Sequence, residues 1–289
     1  MEKCRFCHDQ DIKTFLPGEK FKLLKCQRCG IISTSPFPSE KDLMTFNENR
    51  YGQKSNWQEY LSRLPLFLKR AKKIIVEIQK FKKRGKFLDI GCGFGLLLKA
   101  AKEQGFDVLG IEKEIERAKI AKEKFNLQVL AKEFNQIQLS KSSFDVISCF
   151  DVLEHIPEPK KFLKTVGKLL KKNGLLVIQS PNIESVMART TGVQWNWLLL
   201  PNHLWHFTPK TLSTLLTNNG FEILKSKTLD DLSEFNFNLI DVLGIKKTNL
   251  LAKIIWKVLR IGLFGLAPLS FIWSKLGKGG LIRIYAQKK

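Results

Sequence analysis

Arginine is scarce in this strongly basic chain: the net charge of +22 rests on 39 lysines and only 10 arginines. Base reading and phosphate clamping lean on planar guanidinium forks. The lysines are spread along nearly every helical segment, so a solvated surface is favoured over a nucleic-acid face, while attraction to anionic substrates or lipid stays open. The opening residues, MEKCRFCHDQDIK, lack an apolar segment behind a basic one. No signal peptide is read there, and a reducing, cytoplasmic setting is expected. Without secretion, a disulfide framework for the six cysteines is disfavoured. Disorder is excluded by an apolar content of 44% with 21 phenylalanines. A chain of 289 residues has room for one sizeable α/β core and one small extra module.

What is present begins with four of the cysteines. Cys4-x-x-Cys7, then eighteen residues, then Cys26-x-x-Cys29-Gly30 has the spacing of a four-thiolate zinc site. Each pair can form a knuckle facing one tetrahedral ion, and Gly30 suits the tight turn after the second pair. CRFCH also spells a c-type haem attachment site, against which the matching second pair and the missing export signal weigh. About thirty residues cannot build a core of their own, so bound zinc would supply folding energy on the order of 10 kcal/mol and its role would be structural.

After the knuckles, Pro36 and Pro38 mark a connector. Leu64, Phe67, Leu68, Ala71, Ile74, Ile75 and Ile78 then follow the i, i+3, i+4, i+7 template of a helix with one apolar face, which KKRG at 82–85 ends. From residue 86 the short apolar runs KFLDI, DVLGIE, LQVL, FDVISCF, LLVIQS and FEILKS alternate with helical patterns near 95–104, 115–124, 158–171 and 208–219. That alternation predicts a parallel sheet with helices on both faces, whose ligands lie at the carboxyl ends of the strands. Domain boundaries follow: 1–35 a zinc ribbon, 36–84 the connector and helix, 85–289 the main α/β domain.

The first strand runs into Gly91-x-Gly93-x-Gly95, but the third glycine of a dinucleotide fingerprint is absent, since Leu96 stands in its place. Glu112 ends the second strand seventeen residues after Gly95, where an acid can accept both ribose hydroxyls of an adenosine. Asp89, just before the glycines, would repel a pyrophosphate and suits an ammonium group. An adenosine with a cationic amino-acid tail and no phosphate is S-adenosylmethionine.

LDIGCGFG, the acid of GIEKE, FDVISCFDVLEHI and LLVIQSPN resemble, in order and spacing, the successive motifs of class I S-adenosylmethionine-dependent methyltransferases. The resemblance covers about 85–230, and GGLIRIYAQKK is similar to that fold's last, antiparallel strand. It implies a Rossmann-like seven-stranded sheet with helices on both faces. CGIISTSPFPSEKDLMTFNENRYG resembles the zinc-ribbon lead-in of a bacterial subgroup whose members often modify sugars or surface glycans. Carried over, the resemblance gives Asp89 and the Gly91, Cys92, Gly93 and Gly95 turn the methionine end of the cofactor and Glu112 the ribose. It places adenine near Lys132, Glu133 and Phe134, with Phe150 at the end of the fourth strand also lining the cofactor.

Methyl transfer to a hydroxyl asks the protein to align the acceptor, strip its water and remove a proton. His155, after the fourth strand in DVLEH, is the first candidate base; the bland reading is a histidine that ties down its loop. Asp151, Glu154 and His155 also fit, with Asp for the more usual Glu, a segment that holds a divalent metal in some methyltransferases. His203 and His206 stand in the tryptophan-rich WNWLLLPNHLWHFTPK and are candidates to orient or deprotonate an acceptor. Trp195, Trp197 and Trp205 are candidates to stack on it, or they plug the loop's own hydrophobic mouth.

An insertion at 231–277 carries an apolar face, Leu250, Leu251, Ile254, Ile255, Val258 and Leu259, opposite Lys253, Lys257 and Arg260. The thirteen uncharged residues 261–273 fall short of the ~20 of a membrane span. Residues 246–277 therefore suit shallow docking on an anionic membrane, on the inner face for a cytoplasmic chain, or form a helical cap or subunit contact. The sequence thus favours a methyltransferase, O-directed, on a small molecule, sugar or glycan that is lipid-linked if the insertion docks. An RNA methyltransferase is the runner-up, against which no Asn-Pro-Pro-aromatic motif follows the fourth strand. A non-catalytic zinc-ribbon binding module with a relic cofactor fold is the reading from another class.

Overall fold

Leu23, Leu24, Cys26, Ile31 and Ile32 are all buried in a segment too short for a core of its own, so their strands need a cover. In the computed structural model, which describes residues 3–51, 62–230 and 267–289, β1 (Ile12–Leu16), β2 (Lys22–Cys26) and β3 (Ile32–Ser35) pair antiparallel. A fourth strand, β9 (Trp205–His206), closes this sheet against β3, with Ile32 opposite His206 and Ser33 opposite Trp205. The described residues divide into two compact units, and the ribbon belongs with residues of Ser180–Thr214 and Ser226–Arg283. The boundary read at residue 35 therefore does not coincide with a compact unit. So short a ribbon cannot cover its own apolar face. Leu23 and Ile32 pack instead with Ile183, Met187, Ala188, Trp195 and Leu198, with Leu16, Trp197, Leu200 and Trp273 around them.

Where the sequence reads as a connector, the chain forms a helix, α1 (Glu40–Tyr51). Its start is a reciprocal cap: the Asp42 amide donates to Ser39 Oγ (3.2 Å) and the Ser39 amide to Asp42 Oδ2 (2.9 Å). Pro38 draws attention to the turn and hides this Ser-x-x-Asp signal.

The second unit, from residues of Met44–Gln179, Leu215–Lys225 and Ile284–Lys289, holds the main core. α2 (Leu64–Gln79) buries Leu64, Ala71, Ile75 and Ile78, the face its periodicity predicts. The Tyr285 hydroxyl donates to the Glu77 carboxylate, and Phe81 stacks on the Tyr285 ring at 5.4 Å.

β4 (Lys86–Ile90), β5 (Asp107–Ile111), β6 (Val129–Leu130), β7 (Phe144–Phe150), β8 (Leu170–Pro181), β10 (Phe221–Leu229) and β11 (Leu281–Lys288) form a seven-stranded sheet in the order β10-β11-β8-β7-β4-β5-β6. The pairs of β4 with β5 and β7, β5 with β6, and β7 with β8 are parallel. α3 (Leu96–Glu103), α4 (Ile115–Phe125), α5 (Pro159–Leu169) and α7 (Pro209–Thr217) follow within a few residues of the predicted positions, and α6 (Val186–Thr191) lies in the segment after β8. The expected α/β class with its seven-stranded sheet is what the chain adopts. Most of the insertion at 231–277 lies outside the described residues. What is described begins with α8 (Ala267–Lys275).

Candidate active site and metal centre

The order reversal of the sheet lies at β4, with β7 on one side and β5 on the other, and ligands of open α/β sheets gather outside the carboxyl ends of such strands. There the chain turns through Gly91, Cys92, Gly93 and Gly95. The amides of Gly91 and Cys92 both donate to Ile111 O, at 2.8 and 3.0 Å, which pins the turn to the end of β5. The glycines are needed for different reasons. A Cβ at Gly91 would strike Val152 at 2.4 Å, and one at Gly95 would strike Leu127 at 2.6 Å, so these two let protein pack on protein. Gly93, at φ +53°, has nothing within 4 Å of that position. It is the point where the backbone is bare toward open space, as a close-approaching ligand requires.

Two buried carboxylates flank this turn, Asp89 at 4% exposure and Glu112 at 5%. Glu112 is locked by backbone: Gly93 N donates to Oε2 (2.8 Å) and Glu114 N to Oε1 (2.9 Å). Each oxygen keeps a lone pair for a hydroxyl donor. Asp89 Oδ1 accepts from Ser148 Oγ at 2.5 Å, and the two residues stand opposite each other across β4 and β7. Burial pushes the Asp89 carboxyl up to about 7, the Ser148 bond opposes this, and the nearby Glu112 charge adds to it. Among the described residues, no lysine, arginine or histidine forms a salt bridge with either acid. A buried acid lacking a cation, beside a fixed hydrogen-bond acceptor and a bare glycine, fits a ligand with an ammonium group and a diol. S-adenosylmethionine has both.

Ser148 was not singled out in the sequence. Its signal is the register of FDVISCF against KFLDI, visible only once the two strands are known to be neighbours. Cys92 is buried beneath the turn, where a Cβ on Gly110 would meet its Sγ at 2.7 Å, and burial raises its thiol, so it serves as packing. Lys132 and Glu133 are exposed beyond β6, and Phe134, which opens a short 3-10 turn, packs edge-on against Phe162 at 5.2 Å. Phe150 is half-buried at the end of β7 and touches the main core.

The segment after β7 departs from one expectation. Asp151, at φ +55°, accepts from Gln179 Nε2 at 3.2 Å, whereas Glu154 and His155 lie on the following 3-10 turn, Leu153–His155. Glu154 and His155 offer ligand atoms within 4.8 Å of each other but Asp151 does not join them, so Asp151 drops out of the divalent-metal reading: its carboxylate is turned to Gln179 on β8. His155 itself is partly exposed.

In the ribbon unit the four cysteines converge as their spacing predicts. Cys4 and Cys29 Sγ are 3.7 Å apart, Cys7 and Cys26 Sγ 3.5 Å, and all four lie within 4.8 Å of one another. A tetrahedral zinc with Zn–S of about 2.3 Å sets sulfurs about 3.8 Å apart, so the donor set and spacing fit that ion. Both knuckles close alike: His8 N donates to Cys4 O (2.7 Å) and Gly30 N to Cys26 O (2.9 Å), with φ +63° at His8 and +72° at Gly30. No thiol here is in a disulfide.

His203 and His206 are buried in that same unit, at 2% and 4% exposure. Thr34 Oγ1 donates its one hydrogen to His203 O (2.6 Å) and lies 3.1 Å from His206 Nε2. Nε2 is therefore the donor in that second bond, which fixes the tautomer. Burial lowers the His206 ring to about 3, so it is neutral near pH 7. Trp195 and Trp205 are buried at 3% exposure. They plug the hydrophobic interior of their own unit, so the expectation that they stack on an acceptor is corrected; Trp197 is half-buried against the same cluster.

A family described as a methyltransferase domain matches residues 57–226. A ubiquinone biosynthesis O-methyltransferase of Pelagibacter ubique is 34% identical over 166 residues, which cover 54% of this chain and 67% of that relative. The chain spans about half the length of other curated relatives of that name. Among solved structures, a methyltransferase from Archaeoglobus fulgidus aligns at TM-score 0.54 and 22% identity, over 85% of this chain and 99% of that one. One from Thermotoga maritima aligns at 0.55 and 18%, over 86% and 100%. Both are described as S-adenosylmethionine-dependent, and at these identities they speak to the fold.

Proposed function

The chain belongs to the class I S-adenosylmethionine-dependent methyltransferase family, and from that premise we propose that it methylates a hydroxyl group of a small-molecule acceptor. The observation that carries the cofactor half is Asp89, a buried carboxyl that has no salt bridge among the described residues, beside the bare backbone of Gly93. The naming of similar chains as O-methyltransferases supports the acceptor half.

Bound at the cradle, the cofactor supplies a methyl group on a positively charged sulfur. Asp89 would pair with its ammonium group and Glu112 would accept the ribose hydroxyls. The Gly93 backbone admits the ligand, and Lys132, Glu133 and Phe134 border the adenine. His155 would accept the proton of the acceptor hydroxyl as that oxygen took the methyl group, the sulfur–methyl bond breaking with its electron pair left on a neutral thioether. Its place on the turn just after β7 and its partial exposure support this role. Positioned general bases contribute ~10²- to 10⁴-fold. His155→Ala is therefore expected to lower kcat by about that range and leave the cofactor Kd unchanged. The check is calorimetric titration of the cofactor alongside turnover of a soluble catechol, 3,4-dihydroxybenzoate. Weakened cofactor binding would make His155 structural, and wild-type turnover would remove it from the reaction.

A lipid-linked acceptor, a sugar or a quinone precursor, is the finer form of this reading. α8 supports it, since Leu269, Phe271 and Ile272, with Leu276 just beyond, are exposed next to Lys275 on a chain of charge +22. Such a face suits an anionic membrane surface. No described helix is long and apolar enough to cross a membrane. The rest of the docking segment, 246–266, lies outside the described residues.

A further inference from the structure

Within the ribbon unit, residues 203–208 are gripped by the two cysteine knuckles and the strand that leads from them. Phe6, between Cys4 and Cys7, meets the Trp205 ring edge-on at 5.9 Å. Arg5 lies 4.3 Å over Phe37, whose ring tilts against Trp205 at 6.0 Å. Gly30, next to Cys29, leaves room for Thr211, whose Cγ2 is 3.3 Å from where a Cβ would sit. Thr211 and Thr208 cap each other at the start of α7, with Thr208 N donating to Thr211 Oγ1 (2.9 Å) and Thr211 N to Thr208 Oγ1 (3.1 Å). β3, whose Thr34 stands five residues after Cys29, adds the backbone bond from Thr34 N to Leu204 O (3.1 Å) and the Thr34 hydroxyl on His203 O. The fastening residues on the ribbon side are thus neighbours of a cysteine, part of β3, or Phe37 just beyond it. No disulfide secures the knuckles.

We propose that metal held by Cys4, Cys7, Cys26 and Cys29 fixes the segment 203–208, so that the ribbon is a positioning element for acceptor handling and Thr34 is its positioning residue. In sequence the segment comes after β8 (Leu170–Pro181). The link to acceptor handling rests on the methyltransferase reading above. The link from metal to segment does not.

The test is hydrogen exchange on the full chain, zinc-loaded and after chelation, with zinc content measured in parallel. Removing zinc is expected to speed exchange over 203–208 together with 4–35 and leave 86–95 and 107–112 unchanged. Protection of 203–208 that survives zinc loss would overturn the proposal, as would a chain that binds no zinc. Because chelation alone can unfold the ribbon, Thr34→Val is measured with zinc retained. Exchange at 203–208 should rise about tenfold, and cofactor affinity should stay at the wild-type value. The KM for 3,4-dihydroxybenzoate should rise several-fold, with kcat moving less, and Thr34→Ser should restore both exchange and KM. Wild-type exchange in Thr34→Val would refute the positioning role. If the catechol proves not to be an acceptor, it is excluded as a substrate while the exchange result still decides this proposal.

Discussion

The cofactor cradle and the ribbon unit solve the same problem, holding polar side chains rigidly in a buried place, by opposite means. In the cradle the fixing groups are backbone: the amides of Gly93 and Glu114 hold Glu112, and the Gly91 and Cys92 amides hold the turn to Ile111. In the ribbon unit they are side chains and a metal-ligand set brought from distant sequence, with Thr34 on His203 and His206 across about 170 residues. Backbone fixing tolerates the loss of a neighbour, whereas a site assembled from side chains depends on each member. Damage to the cradle should therefore stay local and show in ligand affinity. Damage to the ribbon should spread through its unit.

The sharpest way to break this contrast is at Asp89. Truncating one member of a buried charge pair costs roughly 2–5 kcal/mol. Asp89→Ala should therefore weaken S-adenosylmethionine binding by at least about 30-fold. Hydrogen exchange at 4–35 and 203–208 should stay as in the wild type. Calorimetric titration measures the first and exchange the second. Unchanged affinity would remove the ammonium from Asp89, and changed exchange at 203–208 would show that the regions are not independent.

The same contrast explains what the sequence reveals. LDIGCGFG and the acid of GIEKE are legible because a backbone-built site needs particular residues at fixed local spacing: Gly93 for its bare backbone, Asp89 and Glu112 at strand ends. The knuckles are legible for the same reason, since four thiolates must meet one ion. Thr34 and Ser148 were not legible. Each is an ordinary small polar residue in a strand, and its partner, His206 for Thr34 and Asp89 for Ser148, lies on a neighbouring strand that only the pairing reveals. Trp195 and Trp205 misled in the opposite direction, because composition alone does not tell a ring that packs inward from one that faces a ligand. The ribbon read as a separate module since nothing local shows that β9 completes its sheet.

A smaller effect sharpens the cradle side. With the free carboxyl of Asp89 pushed up to about 7, an ammonium ligand binds best to its ionised form, so affinity should fall as pH drops below about 7, approaching tenfold per unit. Above pH ~8 it should fall again as the ligand's own α-amino group loses its proton. In the ligand-free chain the sign is the reverse. The folded state keeps a proton that the unfolded state releases above 3.8, so stability declines as pH rises from 3.8 to about 7 and then levels. The Ser148 bond favours the carboxylate, so Ser148→Ala should move the acid limb of binding to higher pH and leave the alkaline limb in place. Titrations from pH 5.5 to 9 read both limbs, and an acid limb that does not move in Ser148→Ala would separate the serine from the Asp89 ionisation.

The smallest expected effect lies on α8, where the ribbon unit turns apolar side chains outward. Phe271 is 65% exposed and Ile272 50%, and side chains of this size add about 1–2 kcal/mol each when an interfacial helix settles into lipid. Lys275 and the basic remainder add an electrostatic attraction of about 1 kcal/mol per charge near an anionic surface, screened by salt. Phe271→Ser with Ile272→Ser should lower co-sedimentation with phosphatidylglycerol-containing vesicles by about threefold to tenfold. Binding to neutral vesicles should be weak in both proteins, and cofactor affinity should not change, because the cradle is fixed by its own backbone. Equal sedimentation of the two proteins would assign these side chains to another contact and leave a soluble acceptor as the simpler reading. A loss of cofactor affinity would show that α8 supports the cradle, and the two fixing strategies would then not be separate.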